Sequence, residues 1–245
     1  QWALNQTASL LKKIAGWYED YEFHRIFHAM NEFVTVQLSS LYFDILKDRL
    51  YTAAPNSVLR RSSQTALFRI LEALTRAMAP IYSFTCDEIW QCLSQFESRE
   101  ASVHMASFTQ PDALIAGISP EALVQLKDWD RLIELRGEVL KILETARKDK
   151  FLGSAQEAKV QLAGKPEILE LLKNYQASLP ALFIVSQVEI KDELSKGTYF
   201  LDNGEMQVLI LRAEGQKCER CWNYSLQVGQ DPKFQTVCQK CSASL

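Results

Sequence analysis

"FHRIFHAMNEFVTVQLSSLYFDIL", residues 23–46, sets apolar side chains three and four positions apart: Phe23, Ile26, Phe27, Met30, Phe33, Val34, Leu38, Leu41, Tyr42, Ile45 and Leu46. That is the period of an α-helix, and a stripe so wide must be buried against other helices. The spacing predicts one long helix here, within a helical period running from about Trp2 to Gln95. "TAAPNS" interrupts it, because Pro55 cannot donate a backbone hydrogen bond and disfavours helix at Ala54. A second helix is expected from about Ser57 to Ala79, with Leu67, Ile70, Leu71, Leu74 and Met78 inward. Pro80 ends or kinks it, and "IYSFTCDEIWQCLSQF" reads as a third. Residues 98–120, with Pro111, Gly117 and Pro120, read as a connecting loop. A further helix is expected from about Pro120 to Lys150, with Trp129, Leu132, Ile133, Leu140 and Leu143 on one side. Residues 1–150 thus form a helical bundle.

The pattern changes after Lys150. Gly153 can terminate a helix, and Ser154 with Glu157 has capping-box spacing, so a short helix is expected there. "PEILELLKNYQ" reads as helix with Pro166 in its first turn. "ALFIVSQVEI", "TYFL" and "MQVLILRA" are rich in β-branched and aromatic residues, and "DNGE" supplies a hairpin turn at Asn203–Gly204. The expected fold is mainly α: a helical bundle over 1–150, a small α+β unit over 151–210, and a four-cysteine module over 211–245.

Composition sets bounds. The 245 residues are 47% hydrophobic and 23% charged, enough to build a sizeable core. A formal net charge of −3 argues against polyanion binding through the overall field, so nucleic-acid contact would have to be local. No apolar run approaches the roughly 18–20 residues that span a bilayer, and no basic-then-apolar leader opens the chain. The chain starts at Gln1 inside a helical pattern, which suggests a C-terminal piece of something longer.

Four of the six cysteines lie in the last 28 residues, as Cys218–x–x–Cys221 and Cys238–x–x–Cys241 with 16 residues between them. Each knuckle points two sulfurs inward from a tight turn, and the intervening segment can bring the turns together around Zn²⁺ at ~2.3 Å. The spacing lies within the zinc-ribbon range. A redox dithiol pair or two disulfides are the alternatives, but the first would follow a βαβ pattern that is absent here. Four sulfurs leave no open coordination position, so a zinc here would be structural. A 30-residue module is too short for a core of its own, whereas a structural zinc contributes on the order of 10–16 kcal/mol in isolated fingers. Trp222, Tyr224 and Phe234 either stack on bases or form the module's own miniature core.

Between Lys47 and Arg76, six basic residues (Lys47, Arg49, Arg60, Arg61, Arg69, Arg76) against Asp48 and Glu72 leave +4, a local positive corner suited to phosphate contact. The competing reading is a solvated face with ordinary ion pairs. His24 and His28 share a helix face but lack the glutamate of a zincin, so packing or hydrogen bonding is expected of them. Cys86 and Cys92, about 240° apart around a helix, are expected to be buried and not to share a metal. Asp87 and Glu88 face different ways. No phosphate loop, nucleophile elbow or Rossmann fingerprint is present, so these residues by themselves are not a catalyst.

"LSSLYFDILKDRLYTAAPNSVLRRSSQTALFRILEALTRAMAPIYSFTCDEIW" closely resembles the anticodon-binding helical domain of the isoleucyl-tRNA synthetase family. "LRGEVLKILETARKDKFLGSAQEAKV" is similar to the segment after that domain, and "KCERCW…VCQKC" resembles the C-terminal zinc module of its bacterial type. The resemblance implies a class I ligase that joins isoleucine to tRNA(Ile) with ATP. The family's catalytic core, with its ATP site, and its editing domain are absent from these residues. It implies a cytoplasmic monomer in which this region contacts the anticodon arm. By motif match, Lys47 and Arg49 of "KDRLY", Arg60 and Arg61 across the turn, and Trp222 would lie at or near the RNA, and Cys218, Cys221, Cys238 and Cys241 would hold one zinc. Two other identities remain open: a non-catalytic tRNA-binding adaptor, and a DNA-repair protein with the formamidopyrimidine-DNA glycosylase zinc module. The latter's N-terminal proline is missing from a chain that begins Gln1–Trp2–Ala3.

Overall fold

The computed structural model describes residues 1–94 and 99–245, with the side chains of 120, 123 and 124 left aside. The described residues form two compact units, and these do not follow chain order: one holds 1–43 and 58–126, the other 44–57 and 127–245.

The first unit is helical. Its elements are α1 (Trp2–Glu19), α2 (Phe23–Glu32), a π-helical segment (Phe33–Phe43), α4 (Val58–Met78), α5 (Ser83–Cys92) and α6 (Pro111–Ile115), with α3 (Asp44–Thr52) falling in the other unit. Helix α1 packs on α2, α4 and α6, and α4 packs on α5. Ile14, Ile26, Phe33, Ile70, Ala77 and Trp90 lie in their shared core. The Tyr18 hydroxyl donates to the Ala77 carbonyl at 2.8 Å, tying α1 to α4. Burial, with Cys86 nearby, pushes that phenol up to about 12. Trp90 is fully buried between the guanidinium groups of Arg76 and Arg99, whose carbons lie 5.1 and 4.8 Å from its ring, and its indole N–H donates to Glu100. The Asp87 carboxylate accepts from the Ser102 hydroxyl and the Val103 amide, so it fixes the loop after α5.

The structure corrects several expectations here. The single helix over 23–46 is α2, a π segment and α3. Phe23 and Phe27 lie on the outer face of α2, and within the segment of i→i+5 bonding Val34 is exposed, while Ile26, Met30, Phe33, Leu38 and Leu41 are buried. Leu71 also faces outward, because the buried face of α4 is lined by Ala66, Ile70, Ala73, Leu74 and Ala77. The expected loop over 98–120 contains a 3₁₀ turn (Val103–Met105) and α6, whose Leu114 is buried. Cys92 is exposed and only Cys86 is buried. His24 and His28 are exposed, so neither packs into the core. The expected helix over 81–96 is seen as α5, and its last residues, 95 and 96, lie outside the described residues.

The second unit is built on a sheet. It comprises α3, α7 (Pro120–Lys148, from Lys127 onward), β1 (Ala158–Gly164), α8 (Pro166–Asn174), α9 (Leu179–Phe183), β2 (Gln187–Ile190), β3 (Phe200–Asp202), β4 (Met206–Arg212), the short ribbon β5 (Gln216–Lys217) and β6 (Tyr224–Ser225), and α10 (Gln239–Ser242). The four-stranded sheet runs β2-β1-β4-β3, with β1 parallel to β2 and antiparallel to β4. Val160 stands opposite Val188 on one side and Ile210 on the other. Leu132, Leu135, Val139 and Leu143 of α7 pack in one core with Val160, Leu162, Val208 and Ile210 of the sheet and with Leu172, Leu182 and Phe183 of α8 and α9.

The hairpin turn stands where the sequence puts it: Gly204 has φ +81°, and the Asn203 side chain accepts from the amides of Glu205 and Met206. Three expectations change. "ALFI" belongs to α9, started by Pro180 and ended by Ile184 at φ +59°, so the strand begins only at Gln187. The helix expected at Ser154 is a single 3₁₀ turn, because the Glu157 carboxylate caps the Gly153 amide at 3.0 Å rather than closing a capping box. The central strand β1, "AKVQLAG", has no counterpart in the sequence reading. Replacing Leu132, fully buried between helix and sheet, by Ala is expected to cost about 2–5 kcal/mol. Denaturant unfolding followed by hydrogen exchange should locate that loss in residues 127–212.

Candidate metal centre and basic helix

The tail reaches its sulfur cluster through a tight ribbon. Gly215 has φ +90°, and a Cβ there would lie 2.3 Å from the Ser225 carbonyl carbon, so β5 and β6 close only with glycine. The first knuckle turns at Cys218: its amide donates to Asn223 at 2.9 Å, and the Trp222 amide donates back to the Cys218 carbonyl at 2.9 Å. The turn needs a left-handed residue, and Trp222 supplies it at φ +65°. That conformation costs a bulky side chain of order 1–3 kcal/mol and is kept where the surroundings impose it. In the second knuckle the Cys241 amide donates to the Cys238 carbonyl at 2.9 Å, and Arg220 crosses between knuckles to the Cys241 carbonyl at 2.9 Å.

The sulfurs of Cys218, Cys221, Cys238 and Cys241 all lie within 4.8 Å of one another, and those of Cys221 and Cys238 are 3.8 Å apart. A tetrahedron of ~2.3 Å metal–sulfur bonds has edges of about 3.8 Å, so the donor set fits a tetrahedral thiophilic metal. Cys218 and Cys241 are fully buried. Burial pushes the Cys218 thiol up, but the amides of Cys221, Cys238 and Arg220 outweigh it and hold the group at about 6. Cys221 is driven to about 12, first by burial and then by its sulfur neighbours, and Cys241 is raised for the same reasons. Without a cation Cys221 and Cys241 therefore keep their protons at neutral pH. Val237, Val228 and Phe234 pack around it. Phe234 is thus the module's small core, while Trp222 is 62% exposed with the Lys217 ammonium 5.6 Å from its ring centroid.

Two polar contacts beyond residue 215 help fasten the four-cysteine tail to the rest of its unit. The Ser186 hydroxyl donates to the Gln156 carbonyl and accepts from the Tyr224 amide at 2.7 Å. Lys240 of α10 pairs with Asp48 of α3. Helix α3 is held by Ile45, which packs against the sheet core, and by contact with α9. Beside them Arg136 donates to the Leu182 carbonyl at 2.8 Å, and burial lowers its guanidinium against the pull of Asp44.

The six basic residues of the expected positive corner divide between the units. Lys47 and Arg49 lie on α3 in the second unit, Lys47 exposed and Arg49 half-buried, while Arg60 and Arg61 lie in the first turn of α4 in the first unit. Lys47 is paired with Asp44 at 2.6 Å, and this hydrogen bond raises its ammonium. Arg61 is exposed and reaches the Gln64 side chain only at 3.5 Å. Arg69 and Arg76 leave the corner: Arg69 donates to the Ala113 carbonyl, and Arg76 pairs with Glu72 at 2.6 Å and donates to Ser107. For these two, ordinary structural pairing is the right reading. Sequence reasoning passed over Tyr51, which is 76% exposed and sits one turn after Lys47. The i, i+4 spacing of a lysine and an aromatic inside "KDRLY" was the available signal.

Comparison with known proteins agrees with this layout. Residues 1–162 match the model for the anticodon-binding domain of tRNA ligase, and residues 215–243 match the zinc finger found in FPG and IleRS. Over its whole length the chain is 42% identical to an isoleucine–tRNA ligase of Syntrophotalea carbinolica and 39% identical to one of Geobacter sulfurreducens. Over 99% of its length it is 39% identical to that of Symbiobacterium thermophilum. It spans 26% of the length of each of these relatives.

A metal bound by the four sulfurs must displace the protons of Cys221 and Cys241 at neutral pH, whereas Cys218 has already lost its proton above about 6. Affinity should therefore rise as pH rises, by at least about two log units per pH unit near neutrality. Competition of Co²⁺ against a chelator, read from the thiolate-to-cobalt absorption, measures that slope.

Proposed function

The chain belongs to the family of anticodon-binding domains of tRNA ligases, and from that premise we propose that it is the RNA-reading part of an isoleucine–tRNA ligase. The observation that carries this is the joint order of the two matched segments, helical region then zinc finger, in a chain 35–42% identical along its length to such ligases. In this reading isoleucine and ATP react on portions of the enzyme outside these residues, which hold the anticodon arm of tRNA(Ile). The protein works as a monomer in the cytoplasm. Residues 1–150 serve as the anticodon-binding part, 151–210 as the junction and 211–245 as the zinc module.

Cys218, Cys221, Cys238 and Cys241 hold one zinc ion. The ion supplies only a tetrahedral point of closure, since four thiolates leave no position for a substrate. RNA contacts are assigned to Lys47, Arg49 and Trp222 on the second unit and to Arg60 and Arg61 on the first. Unpaired loop bases offer flat faces and free edges. An exposed indole beside an ammonium can stack on one such face while the cation meets a neighbouring phosphate, and Trp222 with Lys217 has that arrangement. Tyr51 beside Lys47 offers the same pair of groups on α3. Because Lys47 is also bonded to Asp44, its phosphate contact replaces an existing ion pair rather than capturing an idle charge.

In the full-length enzyme, Lys47→Ala should weaken tRNA charging several-fold and flatten the salt dependence of RNA binding by roughly 0.7 in log–log slope, the share of one phosphate contact on a single strand. Isoleucyl-adenylate formation should be unchanged. Equal losses in both assays would remove Lys47 from RNA contact. Cys218→Ser should lower the bound metal well below one ion per chain, and stoichiometric zinc in that variant would refute the ligand set.

A further inference from the structure

We propose that Lys240 is a positioning residue: from inside the zinc-finger tail it clamps Asp48 and so sets the last turn of α3, the helix that carries Lys47 and Tyr51. The clamp joins residues 192 positions apart in sequence. Its importance to RNA binding rests on the function proposed above, but the clamp itself does not.

Three observations support it. The two ends of α3 are held differently. At the N-terminal end Leu46 is buried and Ile45 packs against the sheet core. At the C-terminal end Arg49 and Leu50 are half-buried and Tyr51 is exposed, leaving buried Thr52 as the only deeply placed side chain there. That end has little apolar packing to stop it fraying.

Asp48 is prepared as a receiver. One carboxylate oxygen accepts from the Thr52 hydroxyl at 2.9 Å, one turn along the same helix, and the other accepts from Lys240. The carboxylate is therefore fixed on α3, and Lys240 pulls on the helix rather than on a loose side chain. The lysine is equally well anchored. It lies between Cys238 and Cys241 in α10, and the Arg220 bond to the Cys241 carbonyl holds the same turn. Closing the sulfur cluster thus places the ammonium.

The pairing also has an electrostatic effect. Asp48 stands between Lys47 and Arg49, where an uncompensated carboxylate would repel phosphate. Lys240 cancels that charge and leaves the end of α3 net positive. The pair is partly solvated, with side chains 56% and 30% exposed, so its strength is modest and salt-dependent. Its product is position more than stability.

The test is hydrogen exchange of the α3 amides in the full-length, zinc-loaded protein. In Lys240→Ala, amides 48–52 should exchange about two- to fivefold faster, the range of an exposed ion pair, with zinc still at one ion per chain. Lys240→Arg should restore the wild-type rate, which loss of side-chain bulk alone would not explain. Unchanged exchange over α3 overturns the proposal, as does loss of zinc from Lys240→Ala. Anticodon-arm RNA binding is read in parallel. Faster α3 exchange with undiminished RNA affinity would leave the clamp standing and exclude α3 from RNA reading, so the two ideas fail separately.

Discussion

Four sulfurs held within 4.8 Å of one another are the constraint on which the tail depends. Brought together as thiolates they repel, and burial in the Val237 and Phe234 pocket adds to the cost of charge. The fold answers with opposed shifts, Cys218 held low by three amides and Cys221 and Cys241 driven high. A divalent cation at the centre removes the conflict. The residues from Cys218 to Leu245 include few buried apolar side chains apart from the cysteines, so little else could hold the two knuckles in register.

From that fixed point order spreads into the rest of the second unit through polar contacts. Ser186 ties the β6 ribbon to the chain segment before β1, and Lys240 ties α10 to α3. Helix α3 lies within the stretch that matches the anticodon-binding family, yet it clusters with the sheet and the zinc finger. The family boundary along the chain and the physical boundary in space therefore differ. The basic residues of "KDRLY" and the exposed Trp222 share one unit, while Arg60 and Arg61 lie on the other.

Much of this was legible in the sequence, and the failures have physical causes. Helices α4 and α7 were found nearly to their ends because Pro55, Pro80 and Pro120 bound them and tertiary packing agrees with their period. The Asn203–Gly204 turn was legible because a left-handed glycine leaves a compositional mark. The sulfur cluster was legible from spacing alone. Strand β1 was not: buried on the sheet interior it carries Ala158, Ala163 and Gly164, small residues demanded by close neighbours, since a Cβ at Gly164 would meet the Glu205 carbonyl at 2.6 Å. Those residues have low strand propensity, and only pairing on both sides makes the segment a strand. The π segment was hidden for the opposite reason. Its apolar spacing is compatible with a 3.6-residue turn, so the sequence does not mark the wider one. Lys47 and Tyr51 were both visible in "KDRLY", but charge counting drew attention to the lysine and away from the tyrosine.

The central claim is that the zinc-closed tail and α3 together present an RNA-binding surface. Photo-crosslinking of tRNA(Ile) to the full-length, zinc-loaded protein, with crosslinked peptides and nucleotides both mapped, tests it most directly. The account predicts that anticodon-loop nucleotides attach to peptides containing residues 47–51 and 217–224, and that both attachments weaken when zinc is chelated. Crosslinks from those peptides to the acceptor end only, or anticodon crosslinks that ignore both peptides, would contradict it.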